Sequence, residues 1–341
     1  MFAFIVRRLF LLPVVFFGTT LVIMLLLQSL SPAQRAVAFV KNDAQLRNLD
    51  LIIKQYGLDK PFYIQYGNWI GQVFSGNLGF SKTVGEPVVK AFKRRLPATI
   101  ELGVLAFIPT MLLGVWLGVM AALNRDRFLD QLSRSLSIFF WSLPTFVLAL
   151  WLLVIFYSGL GWFGLGQVSI EHSLEIIKPD FQRYTGFLTL DSLFNGRFDI
   201  LLDVLSHLVL PVVTLVLISS AQIVRIMRSS LLDTLSQDFI RTARAKGLAN
   251  AIVNRKHALR NALLPIVTLA SFTLVGLFNG VIITESIFVY PGIGNWIAKA
   301  ALEFDVPTVL AGAVFTAVTL VFANLLADIL YALVDPRIRY N

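Results

Sequence analysis

Six stretches of the chain are apolar and nearly free of charge: Leu9–Leu30, Leu102–Leu123, Ser135–Tyr157, Leu208–Val224, Ala262–Thr284 and Val306–Ala327. A bilayer-spanning helix needs about 20 mostly apolar residues, so this pattern predicts six spanning helices joined by polar connections. His207 and Pro211 leave the start of the fourth stretch the least defined. The third continues without charge to Ile170, but Gly159, Gly161, Gly164 and Gly166 predict that its helix has ended and a loop has begun. Arg7 and Arg8 before the first apolar run imitate a secretory signal. That run is too long for one, and no small-residue cleavage site follows, so the reading is a retained span.

The polar connections divide the chain into residues 1–30 (N-terminus and first span), an external segment 31–97, a five-span core 98–334, and a tail 335–341. The external segment has room for a small cap or a few surface helices. Within the core lie an external loop, 158–206, and a basic loop, 225–261. No internal repeat stands out.

Composition agrees with a membrane protein. Of the 341 residues, 57% are hydrophobic and 14% charged, against about 25% charged in soluble domains. That balance excludes disorder and makes an ordinary soluble enzyme a poor reading. With no cysteine, disulfides, Cys zinc sites and thiol catalysis are excluded.

The net charge of +9 has two possible meanings, a nucleic-acid surface or a positive membrane face. Its distribution decides between them. Segments 1–8, 124–134, 225–261 and 334–341 together carry net +10, six units of it in 225–261. The opposite set includes 158–206, with three basic and six acidic residues. Residues 31–97 are basic too, but long loops translocate largely regardless of charge. Both termini are therefore expected in the cytoplasm, and the charge reads as an orientation signal.

The basic loop has its own internal pattern. Ser236 is expected to cap a helix starting near Gln237, with Phe239, Ile240 and Ala243 on one face. Gly247 then permits a turn, and a second helix, about Asn250 to Leu264, leads to Pro265 at the membrane boundary. The result is an elbow of two helices on the cytoplasmic side. Its connection to spans at both ends argues against a DNA-binding helix-turn-helix.

Thr-Ala-Arg-Ala-Lys-Gly-Leu at 242–248, followed by His-Ala-Leu-Arg-Asn-Ala-Leu-Leu-Pro at 257–265, resembles the coupling loop of bacterial ATP-binding-cassette importer permeases. Arg241, Thr242 and Ala243 stand where the broader family has Glu-Ala-Ala, which favours the peptide and nickel branch over the sugar branch. Further motifs resemble the same branch in the same order. They are Tyr-Gly-Leu-Asp-Lys-Pro at 56–61, Gly-Asn-Leu-Gly-Phe-Ser at 76–81, Arg-Leu-Pro-Ala-Thr-Ile-Glu-Leu at 95–102 and Ser-Leu-Pro-Thr-Phe at 142–146. Thr-Glu-Ser-Ile-Phe-Val-Tyr-Pro-Gly-Ile-Gly at 284–294 and Asp-Pro-Arg-Ile-Arg at 335–339 complete the series. Tyr-Thr-Gly-Phe-Leu at 184–188 is similar to dipeptide and antimicrobial-peptide permeases.

The resemblance implies an all-α membrane protein of six transmembrane helices with a type I importer (MetI-like) permease core, in a bacterial inner membrane. It implies a homologous second permease, two ATPase subunits, and a periplasmic binding protein that hands over a peptide. Asp238, Arg241, Thr242, Ala243, Arg244, Ala245, Lys246, Gly247 and Leu248 would form the ATPase coupling surface, within an elbow spanning 237–256. ATP-driven closure of the ATPases would move the permease halves between inward-open and outward-open states. This chain has no G-x-x-x-x-G-K-[ST] phosphate loop, Gly76 to Lys82 coming nearest with the wrong spacing. ATP and Mg are accordingly expected on partner chains, with no cofactor, metal or catalytic residue here.

Membrane-level acids are costly and point to function by default. Glu101 falls at the mouth of the second span and Glu285 just beyond the fifth, each hydrated or paired with Arg94, Arg95 or Lys299. Glu285, Pro291, Gly292 and Gly294 are gate or pathway candidates. Asp328, one turn after Asn324, reads as an anchor for Arg337 or Arg339. Pro109, Pro144, Pro211 and Pro265 can bend or start helices. His172, His207 and His257 lie in different segments without metal-ligand spacing. Trp69, Trp141, Trp151, Trp162 and Trp296 suit interfacial anchoring, and Trp141 or Trp151 suits a pathway equally. Two other classes stay open, a secondary transporter and an intramembrane enzyme. Neither inverted repeats nor H-E-x-x-H or G-x-S-x-G motifs favour them. Antimicrobial peptides, haem and nickel complexes remain alternative cargoes on the same fold.

Overall fold

A computed structural model describes residues 11–37, 40, 47–278 and 282–334. The helices in order are α1 Leu11–Leu27, α2 Pro32–Val37, α3 Leu49–Tyr56, α4 Phe62–Phe74, α5 Val88–Leu123, α6 Phe128–Ser142 and α7 Thr145–Leu152, the last continuing as a π-helical turn to Gly159. There follow α8 Ile170–Glu175, α9 Leu188–Phe194, α10 Phe198–Leu235 and α11 Asp238–Ala245. After these come α12 Asn250–Ile252, a π-helical turn Val253–Ala258, α13 Leu259–Ala262, α14 Leu264–Phe278, α15 Ile282–Ile287, α16 Ile293–Leu302 and α17 Val306–Val334. A hairpin of β1 Phe80–Ser81 and β2 Glu86–Pro87 precedes α5. The start of the first expected span, the tail at 335–341 and the partners proposed for Asp328 lie outside the described residues.

Among the described residues two helices, α5 and α10, are each long and apolar enough to cross a bilayer, and both exceed the apolar stretches that announce them. The α5 helix begins at Val88 rather than Leu102 because Val88, Ala91 and Ala98 continue its buried face. Likewise α10 begins at Phe198 rather than Leu208, with Ile200 and Val204 buried, and ends at Leu235. Pro109 and Pro211 sit inside these helices without ending them, as neighbouring helices allow in a bundle.

The third stretch departs from a single straight span. Its two halves, Phe128–Ser142 and Thr145–Gly159, lie at 101° to each other. The cause is local: Leu143, preceding Pro144, is extended at φ −81 and ψ 128, as steric conflict with a following proline ring demands. The helix does end at Gly159, where the glycine cluster predicts it. Shorter apolar helical segments, Pro13–Leu27, Leu264–Leu274 and Val306–Phe322, coincide with the first, fifth and sixth stretches.

The centre of the molecule is the contact between α5 and α10. Small residues of α5 (Ala106, Gly114, Gly118, Ala122) meet Leu208, Ile223 and Met227 of α10. A Cβ on Gly118 would lie 2.6 Å from the Met227 Cβ and 2.9 Å from the Val224 carbonyl oxygen. Small residues draw membrane helices this close because packing, not the hydrophobic effect, holds them together. Gly118→Val is therefore expected to lower stability by about 1–3 kcal/mol, measured as the thermal unfolding midpoint in detergent. Gly276→Ala, with no atom within 4 Å of the built Cβ, should leave the midpoint within a degree or two.

Outside the bundle, α2, α3 and Val40 enclose a small apolar cluster of Ala36, Val40, Ile52 and Leu58. The cap is pinned to α1 by the Tyr66–Thr20 hydroxyl pair at 2.9 Å and by stacking of Trp69 on Phe16.

Candidate functional site: an elbow at one end and buried carboxylate locks at the other

The elbow at 237–256 grows directly out of α10. Ser236 does not cap it: its hydroxyl donates back to the Asp233 carbonyl at 2.8 Å, and Gln237 occupies the N-cap position. In α11, Ile240 and Ala243 turn inward while Phe239 is 43% exposed, so the inner face is narrower than the sequence suggests. Ile240 and Ala243 join Ile223, Met227 and Leu231 of α10 and Val253, Ala258, Ala262 and Ile266 further on in one apolar cluster. Ser230 donates to the Ala262 carbonyl at 2.9 Å, fastening the far side of the elbow to the same helix.

Gly247 closes the turn at φ +77, in the left-handed region that glycine adopts without penalty. Its N–H bonds to the Arg244 carbonyl at 2.9 Å. The helix expected from about Asn250 to Leu264 is present: α12, the π-helical turn and α13 run on without a gap to Ala262, and Leu263 leads into α14, whose first turn holds Pro265. Of the coupling candidates, Asp238, Arg241, Thr242, Arg244, Ala245, Lys246, Gly247 and Leu248 are exposed. Ala243 lies beneath them in the cluster. Arg241 and Asp238 approach at 3.3 Å, both highly exposed, so this contact contributes little.

A buried ion pair braces the base of the elbow. Asp130, at the start of α6, is fully buried and accepts from Arg228 Nε at 2.6 Å and Nη2 at 2.7 Å, and from the Asp126 N–H at 2.9 Å. It ties the 124–134 connection to α10.

At the other end, carboxylates act as locks. Glu285 is fully buried, which corrects the expectation of a hydrated or ion-paired group. It accepts from the Thr99 hydroxyl at 2.9 Å and the Asn295 N–H at 2.8 Å, and it makes no ion pair among the described residues. The N–H groups at the start of α16 point at it, the usual geometry for an anion at a helix N-terminus. Thr99 also accepts from the Ile293 N–H at 2.7 Å. Pro291 and Gly292 form the turn above this carboxylate. Gly292 has φ −84, and a Cβ there would lie 2.2 Å from the Glu285 carboxyl carbon, so space dictates the glycine. Gly294 is buried in the first turn of α16.

Glu101 is also buried. It accepts from the Thr189 N–H and hydroxyl at 2.7 and 2.6 Å, from Gln167 at 3.2 Å, and from the Tyr290 hydroxyl at 3.3 Å. Asp305 receives the Ser81 and Thr308 hydroxyls at 2.7 and 2.8 Å, clamping the β-hairpin to the start of α17. Trp296 is buried, its indole N–H on the Ser81 hydroxyl at 3.2 Å, so it is no interfacial anchor. Gly79, at φ +92, sits against Pro307, which accounts for the second glycine of the Gly-Asn-Leu-Gly-Phe-Ser motif. The Tyr-Thr-Gly-Phe-Leu motif wraps the buried Asp191, which accepts from the N–H groups of Tyr184, Thr185 and Gly186.

Residues far apart in the chain meet on Asp203. His172 Nδ1 lies 2.8 Å from its Oδ2 and His207 Nδ1 3.2 Å from its Oδ1. Ligand atoms of His172, Glu175 and Asp199 lie within 4.8 Å of one another. Arg197 pairs with both of those carboxylates, so the cluster already holds its counter-cation. The hydrogen bond from Arg197 keeps the Glu175 carboxyl below the usual carboxylate range. Sequence spacing shows half of this group, since Asp203 and His207 stand four residues apart on α10; the other half, His172, comes from α8 and leaves no sign in the spacing.

Residues 114–340 match the family described as "Binding-protein-dependent transport system inner membrane component", and residues 1–103 match "Binding-prot-dependent transport system membrane comp, N-term". The chain is 38% identical over 343 residues to the "Di/tripeptide transport system permease protein DppB" of Pseudomonas aeruginosa (strain UCBPP-PA14), covering all of both chains. It is 36% identical over 341 residues to the "Dipeptide transport system permease protein DppB" of Escherichia coli (strain K12), again covering all of both. A chain of the inward-facing MetNI methionine ABC transporter shares the fold at a TM-score of 0.52 and 16% identity, covering 72% of this chain and 97% of that one.

Proposed function

The chain belongs to the binding-protein-dependent transport system inner membrane component family, as a permease subunit of an ATP-binding-cassette importer, and we propose that its cargo is short peptides. Full-length similarity to di- and tripeptide permeases supports that cargo. ATPase and binding-protein partners follow from the family. The finer assignments are part of the proposal: a homologous second permease completes the path, ATP and Mg stay on the ATPase chains, and both termini are cytoplasmic.

One observation carries the coupling role. The elbow has an exposed rim of Asp238, Arg241, Arg244, Lys246 and Leu248 on an underside continuous with the core of α10. A force applied to the rim is delivered to a helix that runs deep into the bundle, not to a loose loop. Docking of an ATPase there, with closure driven by ATP, would turn α10 and the helices packed on it as a body.

The test is reconstitution with the second permease, the ATPases and the binding protein. Gly247→Val forces a branched side chain into the left-handed region at a cost of about 1–2 kcal/mol. ATPase affinity is therefore expected to fall about tenfold, with membrane insertion unchanged, as read by co-purification of the ATPases and by dipeptide uptake. Gly247→Asn, which tolerates that conformation better, should retain most of both. Full uptake by Gly247→Val would remove the coupling role. Transport by this chain alone on a proton or sodium gradient would instead favour a secondary transporter.

A further inference from the structure

A cleft of about 420 Å³ opens where α6 bends into α7 and meets α10 and α14. Its lining includes Trp141, Thr145, Ser219, Gln222, Phe272 and Thr273. The side chains of the four polar members, Thr145, Ser219, Gln222 and Thr273, make no hydrogen bond to any other described residue. Neighbouring hydroxyls outside the cleft behave differently: Thr214 donates to the Leu210 carbonyl at 2.8 Å and Ser271 to the Val267 carbonyl at 3.1 Å. Polar side chains in apolar spanning segments face water, protein or a substrate path, not lipid tails. Four that share one cleft and leave their polar groups free are a hydrogen-bonding surface awaiting a partner.

One turn beyond Gln222, the Arg225 guanidinium lies 5.1 Å from the centre of the Trp141 ring. Arg225 makes no ion pair among the described residues. From Ser219 to Arg225 the helix rises about 9 Å, close to the roughly 7–11 Å length of two or three extended residues.

We propose that this cleft holds the main chain of a short peptide in transit, with Thr145, Ser219, Gln222 and Thr273 bonding its amides and Arg225 taking its terminal carboxylate. The assignment rests on the peptide-importer reading above. Neutral donors and acceptors engage the main chain that all peptides share, and so tolerate varied side chains. The cation selects a free C-terminal carboxylate.

The absence of cysteine permits a clean test in the complete importer reconstituted in vesicles, with di-alanine as probe. Thr145→Cys, Ser219→Cys, Gln222→Cys and Thr273→Cys are each treated with a charged methanethiosulfonate, beside Thr214→Cys and Ser271→Cys as controls. Co-purification with the second permease and the ATPases, at an unchanged thermal unfolding midpoint, certifies that each variant is folded. The cleft variants are expected to react at least tenfold faster than the controls, and di-alanine is expected to slow Gln222→Cys several-fold. Adding Arg225→Gln should abolish that protection, read as the ratio of rates with and without di-alanine in the same background, because losing a nearby cation by itself shifts the rate of a charged reagent. Equal rates at cleft and control positions, or rates that di-alanine leaves unchanged, would overturn the assignment. Protection that survives Arg225→Gln would overturn the carboxylate role. Loss of ATP-driven di-alanine uptake in the unsubstituted importer would remove the peptide reading itself, whereas uptake with an unprotected cleft would remove this assignment alone.

Discussion

Arg228→Met is expected to lower the stability of the chain by about 3 kcal/mol, the low end of the range for breaking a buried ion pair. The reason is the partner left behind. Asp130 is fully buried and draws two charge-assisted bonds from Arg228; without them, among the described residues, it keeps the Asp126 N–H bond and the more distant charge of Arg134. The reverse change should be milder. In Asp130→Asn the amide keeps the shape and an acceptor, and Arg228, whose side chain is 19% exposed, can turn its charge toward water. About 1–2 kcal/mol is expected there. Thermal unfolding in detergent of both single variants and the double variant checks this. The double variant should be more stable than the two separate losses imply, because the second change removes the stranded charge. Equal effects from the two single changes would mean that burial of Asp130 is not what the pair compensates. Since the pair also braces the base of the elbow, ATP-driven uptake should fall in Arg228→Met more than the loss of folded protein explains.

Gly292→Ala is expected to be as damaging although it adds one methyl group. The new carbon would fall 2.2 Å from the carboxyl carbon of Glu285 and 2.2 and 2.4 Å from its oxygens. No rotation of the methyl relieves that overlap, so either the turn at Pro291 opens or Glu285 leaves the N-terminus of α16. Overpacking of this kind costs about 1–3 kcal/mol, sometimes more, and here it would also strand the Asn295 N–H and the Thr99 hydroxyl. Glu285→Ala alone should be destabilising, as those donors lose their acceptor. In the double variant the truncated side chain makes room for the methyl, so its loss should fall clearly short of the sum of the two. A sum that is simply additive would show that Gly292 and Glu285 do not share one packed site.

Several elements were legible because their causes are local. Pro144, the glycines from Gly159 onward and Gly247 act on their own stretch of backbone and shape it where they stand; the apolar runs mark helices, but α5 and α10 outrun theirs and the third run is bent. The elbow's motif was also legible, although its inner face is narrower than the apolar residues suggest. Phe239 shows why: hydrophobicity alone does not say which way a side chain on a short helix turns once Ile240 and Ala243 occupy the available groove.

What tertiary structure decided is the role of the charged and polar residues. In sequence Glu101 and Glu285 look like membrane-mouth acids open to water. Folded, they are buried locks, because Thr99, Thr189, Tyr290 and Asn295 arrive from other segments to bond them. Trp296 resembles an interfacial anchor until Ser81, 215 residues away, accepts its indole N–H. His207 faces Asp203 from one turn along the same helix, but His172 reaches it only when α8 packs against α10. The division has one physical origin. Burying apolar length depends on a residue's own neighbours in the chain, whereas stabilising a buried carboxylate needs donors aimed at it within about 3 Å, and only the packed bundle brings those donors together.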